Sequence, residues 1–301
     1  MTFAPVALFV YNRPVHAQRT IEALRQNVGA ENAALYVFSD APKNAAAIES
    51  VAEVRSYIRS IEGFKSVAII EREKNLGLAN SIIDGVTRLC AEYGRVIVVE
   101  DDLVTSPYFL KYMNDGLDLY ERNERVISIH GYVYPVKTAL PETFFLGGAD
   151  CWGWATWKRG WDLFERDGRK LLQELKARKP TRRFDFDGAY PYTRMLRDQI
   201  AGKNDSWAIR WYASAFLKDK LTLYPGRSLV FNIGNDSSGT HCATTDGYAG
   251  EISEIPIKMD AIPIEENSRV RDQIAGFHKS ARLLPPTKIL RKLVNIARRA
   301  R

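Results

Sequence analysis

Val96-Ile97-Val98-Val99-Glu100-Asp101-Asp102 sets four β-branched apolar residues directly before three carboxylates. A short, continuous apolar run is the pattern of a strand buried on both faces, and such strands belong to parallel sheets covered by helices. The acids mark where that strand leaves the core. Three adjacent carboxylates repel one another, and their ionised forms are best tolerated around a hard divalent cation.

Upstream, the same grammar recurs three times. Pro5-Val6-Ala7-Leu8-Phe9-Val10 is a first apolar strand, broken by Tyr11-Asn12-Arg13-Pro14, where Pro14 suits the first turn of a helix. Ala17, Ile21, Leu24 and Val28 then recur at helical spacing over 15–27. A second strand is predicted over 34–38, ending at Ser39-Asp40. A helix follows over 44–60 with Ile48, Val51, Val54, Ile58 and Ile61 on one face. A third strand is predicted over 67–70, and a helix over 77–93 leads into the acid-tipped strand. Strand and helix alternating at such short intervals predict an α/β fold with a parallel, doubly wound sheet. Ligands of such sheets bind outside the carboxyl ends of the strands. The four ends offer Tyr11-Asn12-Arg13, Ser39-Asp40, Glu71-Arg72 and Glu100-Asp101-Asp102, and every one is polar or charged.

Downstream the pattern changes. Helices are predicted over 107–120, 168–178, 188–202 and 206–218, with short strands over 126–129, 221–224 and 228–233. Residues 144–161 are rich in Gly and Trp, and 234–250 form a polar, Gly-containing loop. Residues 1–264 read as one domain of two halves, 1–105 and 106–264, with 265–301 as a helical, basic appendage.

With 301 residues, 46 % of them apolar, the chain can bury a substantial core. Its formal charge of +7 is concentrated at the end. Eight basic residues and no acid follow Asp272, which leaves the preceding residues near neutral and argues against nucleic-acid binding by the body. In 285–301, Ile289, Leu290, Leu293, Val294 and Ala297 share a helical face opposite Lys288, Arg291, Lys292, Asn295, Arg298 and Arg299. Such a basic amphipathic helix suits an anionic membrane surface. The three cysteines, Cys90, Cys151 and Cys242, lie in no paired spacing. The apolar run at the N-terminus is too short for a signal peptide or a membrane span. Together these predict a cytoplasmic protein, peripheral at the inner face of the plasma membrane.

Tyr11-Asn12-Arg13-Pro14, Ser39-Asp40, Asn75-Leu76-Gly77-Leu78-Ala79-Asn80 and Val98-Val99-Glu100-Asp101-Asp102-Leu103 occur in this order and at fitting distances. Together they resemble the nucleotide-binding half of GT-A glycosyltransferases, and the chain resembles the bacterial family 2 enzymes over roughly residues 5–245. The stretch from Val99 to Phe109 is more similar to N-acetylglucosaminyltransferase I. The resemblance implies that Tyr11, Asn12 and Arg13 line the nucleotide pocket and that Asp40 accepts the base N–H, which favours a UDP-sugar. It implies that Asn75 and Gly77 flank the nucleoside, that Glu100 and Asp101 border the ribose or sugar, and that Asp102 binds Mn2+ or Mg2+. It also implies that Asp205, in Asn204-Asp205-Ser206-Trp207, is the general base of an inverting transfer, although a local role as helix cap is open as well. His241 would belong to a loop closing over the donor.

Cys151-Trp152-Gly153-Trp154-Ala155-Thr156-Trp157 fits neither a helix face nor a strand. Flat rings stack on sugar faces and Gly admits a ligand to the backbone, so Trp152, Gly153 and Trp154 are candidate substrate contacts; a core aromatic cluster is the other reading. His16, His130 and His278 show no partner pattern. The expected activity is sugar transfer from a nucleotide diphosphate to a glycan hydroxyl in surface polysaccharide or lipopolysaccharide synthesis. A sugar-phosphate nucleotidylyltransferase is disfavoured because no Gly-rich loop follows the first strand, and a non-catalytic carbohydrate-binding protein is disfavoured by the retained acids.

Overall fold

The computed structural model describes residues 3–178, 181–234, 236, 248 and 250–283. The first half runs β1 (Val6–Val10), α1 (Pro14–Arg25), β2 (Ala34–Ser39), α2 (Ile48–Ile58), β3 (Ser66–Glu71), α3 (Leu78–Tyr93) and β4 (Arg95–Glu100). All three of its strand pairings, β1 with β2, β1 with β4 and β2 with β3, are parallel. The predicted alternation is thus observed, with boundaries shifted by one to four residues.

The second half adds β5 (Leu103–Thr105), α4 (Phe109–Leu119), β6 (Val126–His130), β7 (Thr143–Gly147), β8 (Trp154–Trp157), α5 (Lys158–Trp161), α6 (Gly168–Arg178), α7 (Thr181–Phe184), α8 (Tyr192–Ile200), α9 (Trp207–Leu217), β9 (Leu221–Pro225), β10 (Val230–Asn232) and α10 (Ser268–Leu283). One eight-stranded sheet, ordered β3-β2-β1-β4-β8-β6-β9-β7, runs through both halves. β8 lies antiparallel between β4 and β6, and β6 pairs parallel with β9. The architecture is α/β, a large sheet, parallel through its first four strands, flanked by helices.

The two faces of the sheet explain the apolar runs. Val6, Leu8 and Val10 of β1 join Ala17, Ile21 and Leu24 of α1 and Val54 and Ile58 of α2 in one core cluster. Ala7 and Phe9 join Ala79, Ile82, Ile83, Val86 and Leu89 of α3 on the other face. A strand covered on both sides keeps no polar position, so its alternation is invisible in sequence.

Four expectations need correction. Val28 and Ile48 are exposed rather than facing the core. Ile61 lies beyond the end of α2, and Val28 beyond the end of α1, because both helices stop after Arg25 and Ile58. The Gly/Trp stretch contains a regular, fully buried strand, β8, whose tryptophans pack inward on both faces. The helix predicted over 188–202 is shorter, since Phe186 and Asp187 adopt left-handed backbone before it. In the last segment, α10 buries Val270, Ile274 and Ala275 against Phe144 and Tyr224. The basic helix expected over 285–301 lies outside the described residues, and no helix among them is long and apolar enough to cross a membrane.

Candidate functional site

The strand order reverses direction between β1 and β4, with α1, which leaves β1, and α3, which enters β4, on opposite faces of the sheet, and a crevice opens at the carboxyl ends of these neighbours. Arg13, the residue immediately before α1, reaches across this crevice. Its Nη2 is bonded to Asp101 and lies 2.9 Å from Asp102 Oδ2. Asp101 also accepts from the Tyr11 N–H at 3.4 Å, while its carbonyl accepts from Thr20 Oγ1 at 2.9 Å. Burial works against the Arg13 charge, but the two carboxylates outweigh it and raise the pKa of the guanidinium. Its Nη1 is buried with no partner among the described residues.

Burial raises the pKa of both inner acids. Glu100 is pushed up to about 8, with Asp102 and Asp101 adding repulsion, and Asp101 to about 6 against the pull of Arg13. Burial and the neighbouring carboxylates thus favour the protonated form of Glu100, and a cation entering the run would favour the ionised one. Behind Asp102, β10 pairs antiparallel with β5, and Ile233 N donates to the Asp102 carbonyl at 2.8 Å. A Cβ on Gly234 would stand 2.3 Å from Asp102 Oδ2, so only glycine lets the chain pass the acid here.

Asp40 shapes the adjoining rim. Its buried carboxylate accepts three backbone N–H groups at 2.9 Å, from Ala41, Leu76 and Gly77. Asn75 Nδ2 donates to the Ala41 carbonyl at 2.7 Å, and Lys43 N donates to Tyr11 Oη at 3.0 Å. The cap position of α3 is Gly77, at φ 73°, not Asn75. Asp40 thus spends most of its acceptor capacity on fixing the turn before α3, and little remains for a nucleobase. The fourth strand end is tied up structurally: Glu71 pairs with Arg59 at 2.7 Å and Arg72 with Asp84.

Asp205 lies just before α9, a helix packed on β8. Trp207, two residues on, stacks on Trp154 at 5.4 Å, and Trp154 pairs in register with Val98 of β4. The cap of α9 is Ser206, whose Oγ accepts from Ile209 N at 3.2 Å, so Asp205 does not cap it. Asp205 is 64 % exposed and lies 3.3 Å from Arg210 Nη2. Its neighbour Asn204 accepts from Ser206 N at 3.1 Å.

Two of the expected substrate contacts are core residues. Trp154 is fully buried among Trp161, Trp207 and Trp211. Gly153 is buried against Phe109 and Val230. The core reading of the aromatic run holds for these two because β8 is a central strand. Trp152 is half-buried, edge-on to Tyr132 at 4.7 Å and to Tyr248 at 6.0 Å. His241 lies outside the described residues. His16 meets Asp236 at 3.1 Å, and His130, buried and shifted down by that burial, accepts from Trp152 N at 3.1 Å.

Sequence reading missed Asp150. It is half-buried, accepts from Tyr134 Oη at 3.1 Å and from Cys151 N at 2.8 Å, and sits among tyrosines. Burial raises Tyr132, Tyr134, Tyr192 and Tyr224, and the Asp150 charge raises them further. The Cys151 thiol is raised by burial and then by the charges of Asp150, Glu100 and Asp102. A lone Asp in a Gly/Trp stretch carried no periodic signal; a polar residue among four scattered tyrosines is visible only once they are folded together.

Among the described residues no three His, Cys, Asp or Glu side chains converge to hold a metal ion. The acid run nevertheless fits a divalent cation that brings its own oxygen ligands, as a nucleotide diphosphate does, since hard ions prefer carboxylate and phosphate oxygens.

No protein-family model matches the chain, and no curated protein matches it. Solved structures similar to it include the mannosyltransferase PcManGT from Pyrobaculum calidifontis in complex with GDP-Man and Mn2+, with 11 % identity over 57 % of this chain and 46 % of that one, TM-score 0.35. TarS from S. aureus is 13 % identical over 55 % of this chain and 30 % of that one, TM-score 0.38. A shorter TarS structure in complex with UDP-GlcNAc is 15 % identical over 47 % and 37 %, TM-score 0.33. The chain spans less than half the length of these structures, and likenesses of this strength assign no activity to it.

Proposed function

We propose that this chain is an inverting GT-A-type glycosyltransferase that moves a sugar from a nucleotide diphosphate to a glycan hydroxyl, with the UDP preference expected from Asp40 withdrawn because that carboxylate is engaged by the turn before α3. One observation carries the proposal: the ends of β1, β2 and β4 converge on one crevice, where Arg13 binds Asp101 and Asp102 and Asp40 fixes the turn opening α3. Nucleotides bind at such a reversal point of an α/β sheet. Asp102 would hold Mn2+ or Mg2+ with the diphosphate, and Tyr11, Asn12, Asn75 and Gly77 would flank the nucleoside. The ion, when bound, would supply positive charge to the leaving diphosphate.

Asp205 is the proposed base. Its exposed carboxylate takes the proton of the acceptor hydroxyl, whose oxygen bonds to the anomeric carbon as the bond to the diphosphate breaks. One displacement inverts the configuration. A second reading assigns the base to Asp150, which is favoured by its fixed, half-buried carboxylate beside Cys151 and Trp152 in sequence. Trp152 would then offer its ring to the acceptor sugar. A thermal-shift screen of nucleotide sugars with Mn2+ tests the proposal: the true donor raises the melting temperature. No shift with any donor, and no release of nucleoside diphosphate with glycan acceptors, would refute it.

A lipid-linked or lipopolysaccharide acceptor accords with the basic tail, each cation of which can contribute about 1 kcal/mol at an anionic bilayer. A chain ending at Leu284 is expected to lose binding to anionic vesicles in co-sedimentation; equal binding would remove the membrane from the proposal.

A further inference from the structure

A second cavity lies at the opposite edge of the sheet. β6 and β9 run parallel to β4, so Arg125, just before β6, and Lys220, just before β9, stand at the amino edge, a full strand length from Asp102. With Arg178 at the end of α6 they line a cavity of about 320 Å3. Its floor is apolar: Phe216, Leu217 and Leu221.

The three cations are positioned by carbonyls and form no ion pair among the described residues. Arg125 Nη1 donates to the Ile264 carbonyl at 2.8 Å, Arg178 Nη1 to that of Leu217 at 2.7 Å, and Lys220 Nζ to that of Glu124 at 2.7 Å. A carbonyl fixes a cationic head without cancelling its charge. The cavity's Glu266 is already taken by Arg183, by Arg271 Nε at 3.4 Å and by Gly147 N at 3.0 Å. Asp219 is the remaining acid in the lining, and the carbonyl end of α9 adds roughly half a negative charge. Three cations therefore face about one and a half negative charges. A purely solvated basic surface needs neither the carbonyl anchors nor the concave apolar floor.

We propose that this cavity binds a phosphomonoester of sugar size. Arg125, Arg178 and Lys220 take the phosphate oxygens through charge-assisted hydrogen bonds, and the sugar lies on the Phe216 ring. Such a site is separate from the nucleotide crevice and stands or falls apart from the proposed transfer.

Isothermal titration of the full chain with glucose 1-phosphate and with inorganic phosphate tests it. Glucose 1-phosphate is expected to bind saturably, more weakly as ionic strength rises. Lys220→Gln with Arg125→Gln should lower its affinity at least tenfold, whereas Asp102→Ala should leave it unchanged. Lys220→Gln alone, with melting temperature checked, guards against a fold defect in the double variant. Phe216→Ala should weaken glucose 1-phosphate but not inorganic phosphate. Absence of saturable binding, or binding lost in Asp102→Ala and kept in the double variant, overturns the site. Equal effects of Phe216→Ala on both ligands overturn the sugar's part in it.

Discussion

The two halves of the molecule hold their candidate polar groups by different means. Before residue 105, polar groups are fixed by hydrogen bonds to the backbone and to each other, as with Asp40 on Leu76 and Gly77 and Arg13 on Asp101. After it, polar groups ride on aromatic packing: Asp205 stands next to a helix pinned by Trp207 on Trp154, and Asp150 is ringed by tyrosines. Acids held by several hydrogen bonds keep one geometry and suit a ligand that does not vary, such as a hard cation. A carboxylate carried on packed rings is held less directly and suits a surface that must admit a variable acceptor.

The largest effect that would break this contrast is expected in the second half. Trp154→Ala empties a site between Trp161, Trp207 and Trp211 and should cost about 3–5 kcal/mol in denaturant unfolding. A change under about 1 kcal/mol would mean that the aromatic cluster is not what positions α9. Next is Asp102→Ala, expected to abolish Mn2+-assisted donor binding in calorimetry while the fold persists, since Arg13 keeps Asp101. Unchanged binding would take the cation out of the crevice. Asp205→Asn should slow transfer by about 10²-fold with donor affinity intact. If Asp150→Asn shows that loss instead, the base belongs to the tyrosine-ringed acid, and the contrast between the halves sharpens. The smallest effect is Ser206→Ala, about 1 kcal/mol, as for a lost helix cap. An equal loss from Asp205→Ala would return the capping role to Asp205.

Much of the first half was legible because its physics is local. Buried strands read as apolar runs, Pro14 opens α1, and Glu100, Asp101 and Asp102 end β4 where the run predicts. The second half was less legible because its neighbours are distant in sequence. Nothing around Trp154 says that it pairs with Val98 on one side and His130 on the other, and so it stood as a candidate substrate contact with the core reading left open beside it. The same distance hid Asp150 and made Asp205, rather than Ser206, the apparent cap.

The insertion of β8 between β4 and β6 also has a consequence for how the chain is made. While the protein is being synthesised, β1 to β4 can pair among themselves, but the free side of β4 has no partner until Trp154–Trp157 has emerged. During that interval Val96–Val99 forms an unpaired, wholly apolar strand edge, the kind that recruits other chains. The charges that bracket it, Arg95 at one end and Glu100, Asp101 and Asp102 at the other, then guard a nascent edge against aggregation before they ever meet a ligand.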